Sequence, residues 1–245
     1  LFSMMHMGRK CMVISNEQRS KVFKIGFLLL ILTKHFNYFN LTKTKLINGN
    51  ISETDREYIR LAQEYWRDHY KGMMHFISIP DSDVGLAIKK MRIGILNKGV
   101  QTLVYDTFKC DWTTNTNDSS WVSLIKDSRR FEALARKYPG TQVICTLQLA
   151  INTLGKLFLD SSVLSMSKQI KEVCDLMILC RTMYQEEFDQ TSKYYCDPFK
   201  TVYKDGKWEN EEWLPKQNKM YRAVFIEKSR SSGAVSSDTG IGYIF

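Results

Sequence analysis

Five polar residues of this 245-residue chain stand where phosphoryl-transfer chemistry could be done, each at or just beyond an apolar run of strand length. Met12-Val13-Ile14 leads to Glu17, and Thr102-Leu103-Val104-Tyr105 ends on Asp106. Val143-Ile144-Cys145-Thr146-Leu147 ends on Gln148, and Ala223-Val224-Phe225-Ile226 leads into Lys228-Ser229-Arg230. A carboxylate such as Asp106 at the end of a buried strand can hold Mg²⁺, directly or through water. Glu17 can act as a general base that polarises an attacking water. Gln148 can contact a γ-phosphate and report its loss to the loop that follows. Lys228 and Arg230 alternate on an extended segment, so both side chains point the same way, and two cations on one face can stabilise phosphoryl-transfer charge. Each residue also has a plainer reading. Asp106 can end a strand at a turn, Glu17 can sit in a helix's first turn where the dipole favours acids, Gln148 can be a satisfied polar group, and the two cations can solvate an edge strand.

These residues need a scaffold that gathers strand ends. Residues 17 to about 39 predict a helix with Val22, Ile25, Leu29 and Leu32 on its apolar face. Asn48-Gly49-Asn50 is a turn, and Ser52 caps a second helix running to about residue 69, with Asp55 three residues on, close to a capping box. Residues 74–79 predict a strand ended by Pro80, 83 to about 98 a helix, 100–106 a strand, 127–137 a helix stopped by Pro139-Gly140, and 141–147 a strand. Strands alternating with helices of this length predict a parallel sheet covered on both faces, whose ligands bind beyond the carboxyl ends of the strands. Residues 149–168 read as a long loop entering a short helix, and 175–179 as a strand. From 186 to 219 the composition turns aromatic and charged around Lys204-Asp205-Gly206-Lys207, which predicts a β-hairpin insertion. Residues 242–245 are expected as a last edge strand. The expected organisation is one domain over 1–245 that carries the 186–219 insertion.

Composition narrows the class. The chain is 44% apolar and 12% aromatic with four prolines, enough for one large core. Its longest apolar stretch, residues 27–32, is too short to cross a bilayer and lacks a signal peptide's cleavage region, so a cytoplasmic protein without membrane association is expected. The six cysteines form no CxxC pair and the four histidines no HExxH, which favours buried thiols over disulfides or zinc. The net charge of +9 suits a polyanionic partner, or simply a solvated basic surface.

Taken in order, the strand-end residues resemble the C-terminal RecA-like motor domain of DnaB-type replicative helicases, particularly phage-like members. Ile14-Ser15-Asn16-Glu17 resembles that family's strand-to-Ser-x-Glu element, whose glutamate is catalytic, and Val104-Tyr105-Asp106 its Walker B strand. Thr146-Leu147-Gln148-Leu149 resembles its Ser-Gln-Leu element, and Lys228-Ser229-Arg230 its Lys-Asn-Arg element, in which both cations reach the neighbouring subunit's nucleotide. Asn48 to Ser52 resembles its Gly-x-Leu-Ser turn, and residues 167–175 its helix before the next strand. The resemblance covers most of the chain from about Arg9 onward.

It implies a RecA-like three-layer sandwich with a mostly parallel central sheet, ATP and Mg²⁺ as cofactors, and a homo-hexameric ring that moves along single-stranded DNA. A helicase loader or a primase would be a further partner, and the host cytoplasm the location if the protein is viral. Lys109, and the loop with Asn152, Lys156 and Lys168, are implied to grip DNA phosphates, Asn152 and Lys156 above all because they follow Gln148 closely. Three features depart from the family. Ser229 stands for its usual Asn, the shortest members lack the 186–219 insertion, and no GxxxxGK[ST] occurs in the 245 residues. In the family that loop lies one helix upstream of the strand that begins near Lys10, so the expectation is a sequence that starts just past it; a relative without the loop is the alternative. Two other functions fit the same residues: another RecA-like ATPase, such as a recombinase or packaging motor, and a degenerate RecA fold that binds DNA or scaffolds a replisome without ATP.

Overall fold

A strand buried on both faces must have helices on both sides, and β1 (Cys11–Ser15) is buried along its whole length. Successive strand side chains point to opposite faces. On one face Cys11 clusters with Met5 and Tyr70, and on the other Met12 meets Gly94, where a Cβ would come within 2.4 Å of the methionine's terminal methyl. Glycine at 94 is therefore what lets a helix approach the strand so closely. The structure is a computed structural model that describes residues 1–80, 83–108, 120–148, 156–163, 169–216, 219–231 and 235–244. The chain divides into two compact units, Leu1–Gln148 and Leu149–Phe245.

The first unit runs α1 (Phe2–His6), β1, α2 (Ser20–His35), α3 (Lys43–Asn48), α4 (Glu53–Tyr70), β2 (Met74–Ser78), α5 (Val84–Lys98), β3 (Thr102–Phe108), α6 (Ser120–Lys137) and β4 (Gln142–Leu147). Its strands form one all-parallel sheet in the order β2-β1-β3-β4. Local signals set the helix ends. Ser52 and Asp55 complete a reciprocal capping box on α4, Asp83 accepts from Leu86 N at 2.9 Å on α5, and Gly99 ends α5 in the left-handed region. Between α2 and α4 lies a core of Ile31, Leu32, Tyr38, Leu41 and Ala62, with Phe27, Tyr65 and Trp66 packed against it.

Several boundaries differ from the sequence reading. The helix expected from residue 17 begins at Ser20, because Ser15 Oγ accepts from the N–H groups of Glu17 (3.2 Å) and Gln18 (3.0 Å) and holds them in a turn first. The strand expected to stop at Asp106 continues to Phe108, since Thr107 is tied to both neighbouring strands and Phe108 packs on Tyr105 and Phe131. The helix expected from residue 127 already starts at Ser120.

The second unit carries α7 (Gln169–Val173), β5 (Leu176–Thr182), β6 (Phe199–Lys204), β7 (Lys207–Glu212), β8 (Arg222–Ser229), α8 (Ser236–Thr239) and β9 (Tyr243–Ile244). An antiparallel sheet has the order β5-β8-β9, so residues 243–244 do pair as an edge strand. β6 and β7 form a separate two-stranded hairpin. Its turn is Asp205-Gly206, both at positive φ (48° and 81°), which is the primed turn that matches the strand twist. Among the described residues five cysteines are free thiols, and no helix is long and apolar enough to cross a membrane.

Candidate active site

The parallel register sets Ser15 directly beside Asp106 at the carboxyl ends of β1 and β3. Both oxygens of Asp106 are engaged by hydroxyls: Thr146 Oγ1 donates to Oδ1 at 2.7 Å and Ser15 Oγ to Oδ2 at 3.3 Å. Thr146 comes from β4 and Ser15 from β1, so the carboxylate of the central strand is held from both sides. Beyond it, Gln148 Nε2 donates to Glu17 Oε1 at 3.5 Å, bridging the ends of β4 and β1. Three of the residues singled out from the sequence, Glu17, Asp106 and Gln148, are thus brought together within one unit. Glu17 and Gln148 are exposed there and Asp106 is half-buried, open to a ligand approaching the strand ends.

Glu17 lies ahead of α2 rather than in its first turn, so its place follows from the Ser15 turn and not from the helix dipole. Beneath the cluster Asn16 does the fastening. Its Oδ1 accepts from Thr107 N at 3.0 Å and its Nδ2 donates to Thr107 O at 2.9 Å, while its own N–H donates to Asp106 O at 2.9 Å. Thr107 Oγ1 in turn donates to Thr146 O at 2.9 Å. The fully buried Tyr105 sits below, its hydroxyl pushed up to about 12 chiefly by burial and further by Asp127, so it stays a neutral phenol at any working pH.

Ser15, Asn16, Thr107 and Thr146 were not assigned roles from the sequence. For Thr146 a signal existed: it precedes Gln148 by two residues, the spacing that shares a face on an extended chain, whereas Ser15 meets Glu17 through a turn. Asn16 and Thr107 left none, because they meet across ninety-one positions of sequence.

Lys228 and Arg230 lie in the second unit at the end of β8, and their side chains do point the same way. Lys228 Nζ donates to the carbonyls of Lys171 and Glu172 (3.1 Å for the latter), and Arg230 Nη2 donates to the same Glu172 carbonyl at 2.7 Å. Arg230 Nη1 also pairs with Asp175 at 2.6 Å. Carbonyls at a helix C-terminus attract cations, so the end of α7 holds this pair as one group. Lys156 is exposed and donates to Ser162 Oγ at 3.3 Å. Lys109, Asn152 and Lys168 lie outside the described residues.

No protein-family model and no curated protein matches the sequence. Solved structures do match. One, of an ATPase domain, superposes with a TM-score of 0.64 at 17% identity, over 95% of this chain and 70% of that one. A DnaB-like replicative helicase, described with its interactions with primase, gives a TM-score of 0.63 at 14% identity over 99% of this chain. This chain spans 48% of that helicase's length. Likeness at these identities establishes the fold: the chain is an α/β protein of the RecA-like kind found in helicase ATPase domains.

Proposed function

We propose that the chain is the ATP-hydrolysing motor of a DnaB-type replicative DNA helicase, coupling hydrolysis at subunit interfaces of a homo-hexameric ring to movement along single-stranded DNA. The observation that carries this reading is the strand-end cluster, in which an exposed glutamate, a hydroxyl-flanked aspartate and a glutamine converge from three neighbouring parallel strands. Ligands of open α/β sheets bind at such ends.

The donors suit the cofactors this reading needs. Asp106 with the hydroxyls of Ser15 and Thr146 is an all-oxygen set, the preference of Mg²⁺ rather than of a soft metal. Bound there, Mg²⁺ would neutralise charge on the β- and γ-phosphates of ATP. Glu17 takes the proton of the attacking water as general base. Gln148, already in contact with Glu17, senses the γ-phosphate and passes its loss to the loop that follows. Lys228 and Arg230 act in trans on a neighbour's nucleotide. Lys156, with Lys109, Asn152 and Lys168, holds DNA phosphates without reading bases. A primase or helicase loader belongs to the same reading.

The test is phosphate release from MgATP by the purified protein, with and without single-stranded DNA. DNA-stimulated hydrolysis that Glu17→Gln and Asp106→Ala each abolish, with DNA binding retained, is the expected result. DNA binding indifferent to ATP, with no hydrolysis in the wild type, would replace the motor by a nucleotide-independent DNA-binding relative.

A further inference from the structure

Arg181 of β5 is buried with Glu187 and holds a stretch of chain that lies in no sheet. The Arg181 side chain is 13% exposed and that of Glu187 2%. They meet as a fork: Nη1 donates to Glu187 Oε1 at 2.7 Å and Nη2 to Oε2 at 2.6 Å. Glu187 is itself fixed, because its Oε1 also accepts from Tyr184 N at 2.7 Å. The guanidinium is not used up by this pair. Its Nε donates to the Leu157 carbonyl at 2.6 Å and its Nη2 donates to the same oxygen, across 24 positions of sequence. A buried ion pair is weak evidence for a role in stability, since apolar residues of the same volume often do as well. What the planar fork adds is direction: it grips a carboxylate with two donors and presents another at a set angle.

The segment so held is 156–163, which belongs to none of the three sheets. Leu159 and Val163 are buried and the Phe158 ring lies 4.7 Å from that of Phe225, but apolar contacts are non-directional. The Arg181 bonds supply the missing direction, and they do so one residue away from Lys156. The Lys156 side chain is exposed, pairs with no carboxylate among the described residues, and donates to the Ser162 hydroxyl at 3.3 Å. A neutral hydroxyl is a partner that a phosphate displaces, because hydrogen bonds between charged groups are the stronger ones.

We propose that Arg181 is a positioning residue for single-stranded DNA: with Glu187 it fixes the Leu157 carbonyl, and so the place from which the Lys156 ammonium meets a backbone phosphate. The proposal rests on the reading of Lys156 as a phosphate contact given above, and on none of the nucleotide chemistry.

The experiment is fluorescence anisotropy of a labelled oligo-dT titrated with the purified protein over a series of salt concentrations, for wild type, Lys156→Ala, Arg181→Lys and the double variant. Lysine at 181 keeps a cation for Glu187, but its single nitrogen cannot also span to the Leu157 carbonyl. Lys156→Ala weakens binding several-fold and lowers the slope of log K against log salt by about 0.7, the loss of one single-strand phosphate contact. Arg181→Lys removes no charge, yet lowers affinity and slope by about the same amounts, and the double variant binds no worse than Lys156→Ala alone. Far-UV circular dichroism checks folding. Should Arg181→Lys unfold, Arg181→Met with Glu187→Leu, which takes away both buried charges together, is measured in its place with the same expectation. Wild-type affinity and slope in the 181 variant, or losses that add to those of Lys156→Ala, overturn the positioning role and leave Lys156 as a DNA contact. A Lys156→Ala variant that binds as the wild type does overturns that contact, and the positioning role with it.

Discussion

Replacing Asn16 by alanine removes the side chain that joins β1 to β3 where their ladder ends. Two hydrogen bonds of 3.0 and 2.9 Å to the backbone of Thr107 are lost, together with a longer one of 3.4 Å to the Tyr105 hydroxyl. Thr107 is only 2% exposed, so water cannot take the place of the amide without opening the sheet. A buried polar group left without its partner costs about 1–3 kcal/mol, and two such groups are orphaned. Some relaxation of the strand end brings the expected loss to about 3 kcal/mol. The long Tyr105 contact adds little. Urea unfolding reads the change as a lower midpoint at constant slope, by about 1 M or more for a slope of about 1–3 kcal/mol/M. Asn16→Asp keeps the acceptor for Thr107 N, loses the donor to Thr107 O and sets a second carboxylate near Asp106, so it should be no better tolerated. A loss under about 0.5 kcal/mol in Asn16→Ala, within the range of an ordinary surface substitution, would refute the fastening role.

Two further outcomes follow from contacts elsewhere. Arg230→Ala should change stability by less than about 1 kcal/mol, because its ion pair with Asp175 is open to solvent, yet it should abolish ATP hydrolysis; full hydrolysis in that variant would sink the trans-acting assignment. The Asp55 carboxyl is held below the usual carboxylate range, first by the Tyr38 hydroxyl donating at 2.5 Å and then by the backbone and hydroxyl of Ser52. A carboxyl whose folded pKa is depressed contributes stability above its unfolded value of about 3.9 and loses it as pH falls through the folded value. The difference in thermal midpoint between wild type and Asp55→Asn should therefore be full at neutral pH and shrink below about pH 4; a difference that is the same at pH 7 and pH 3 contradicts this.

The parts of this molecule that were legible in its sequence are those settled by neighbours along the chain. Ser52 and Asp55 form their capping box within one turn, and Asp205-Gly206 makes a hairpin turn with its own dihedral preferences. The apolar runs of β1 and β3 show themselves as strands because burial on both faces leaves no polar alternation. The convergence of Glu17, Asp106 and Gln148 was legible for the same reason: each follows such a run, and parallel strands separated by helices bring their ends to one side. Only packing decided the rest. β3 runs on past Asp106 because Phe108 packs against Phe131 of a later helix. The sequence by itself determined which residue types stand at the strand ends, through local periodicity and turn chemistry. The tertiary structure alone decided what holds them there, since Asn16 with Thr107, Thr146 with Asp106, and Arg230 with Asp175 each join positions forty or more residues apart, and hydrogen-bond geometry at that separation is set by the fold and leaves no pattern along the chain.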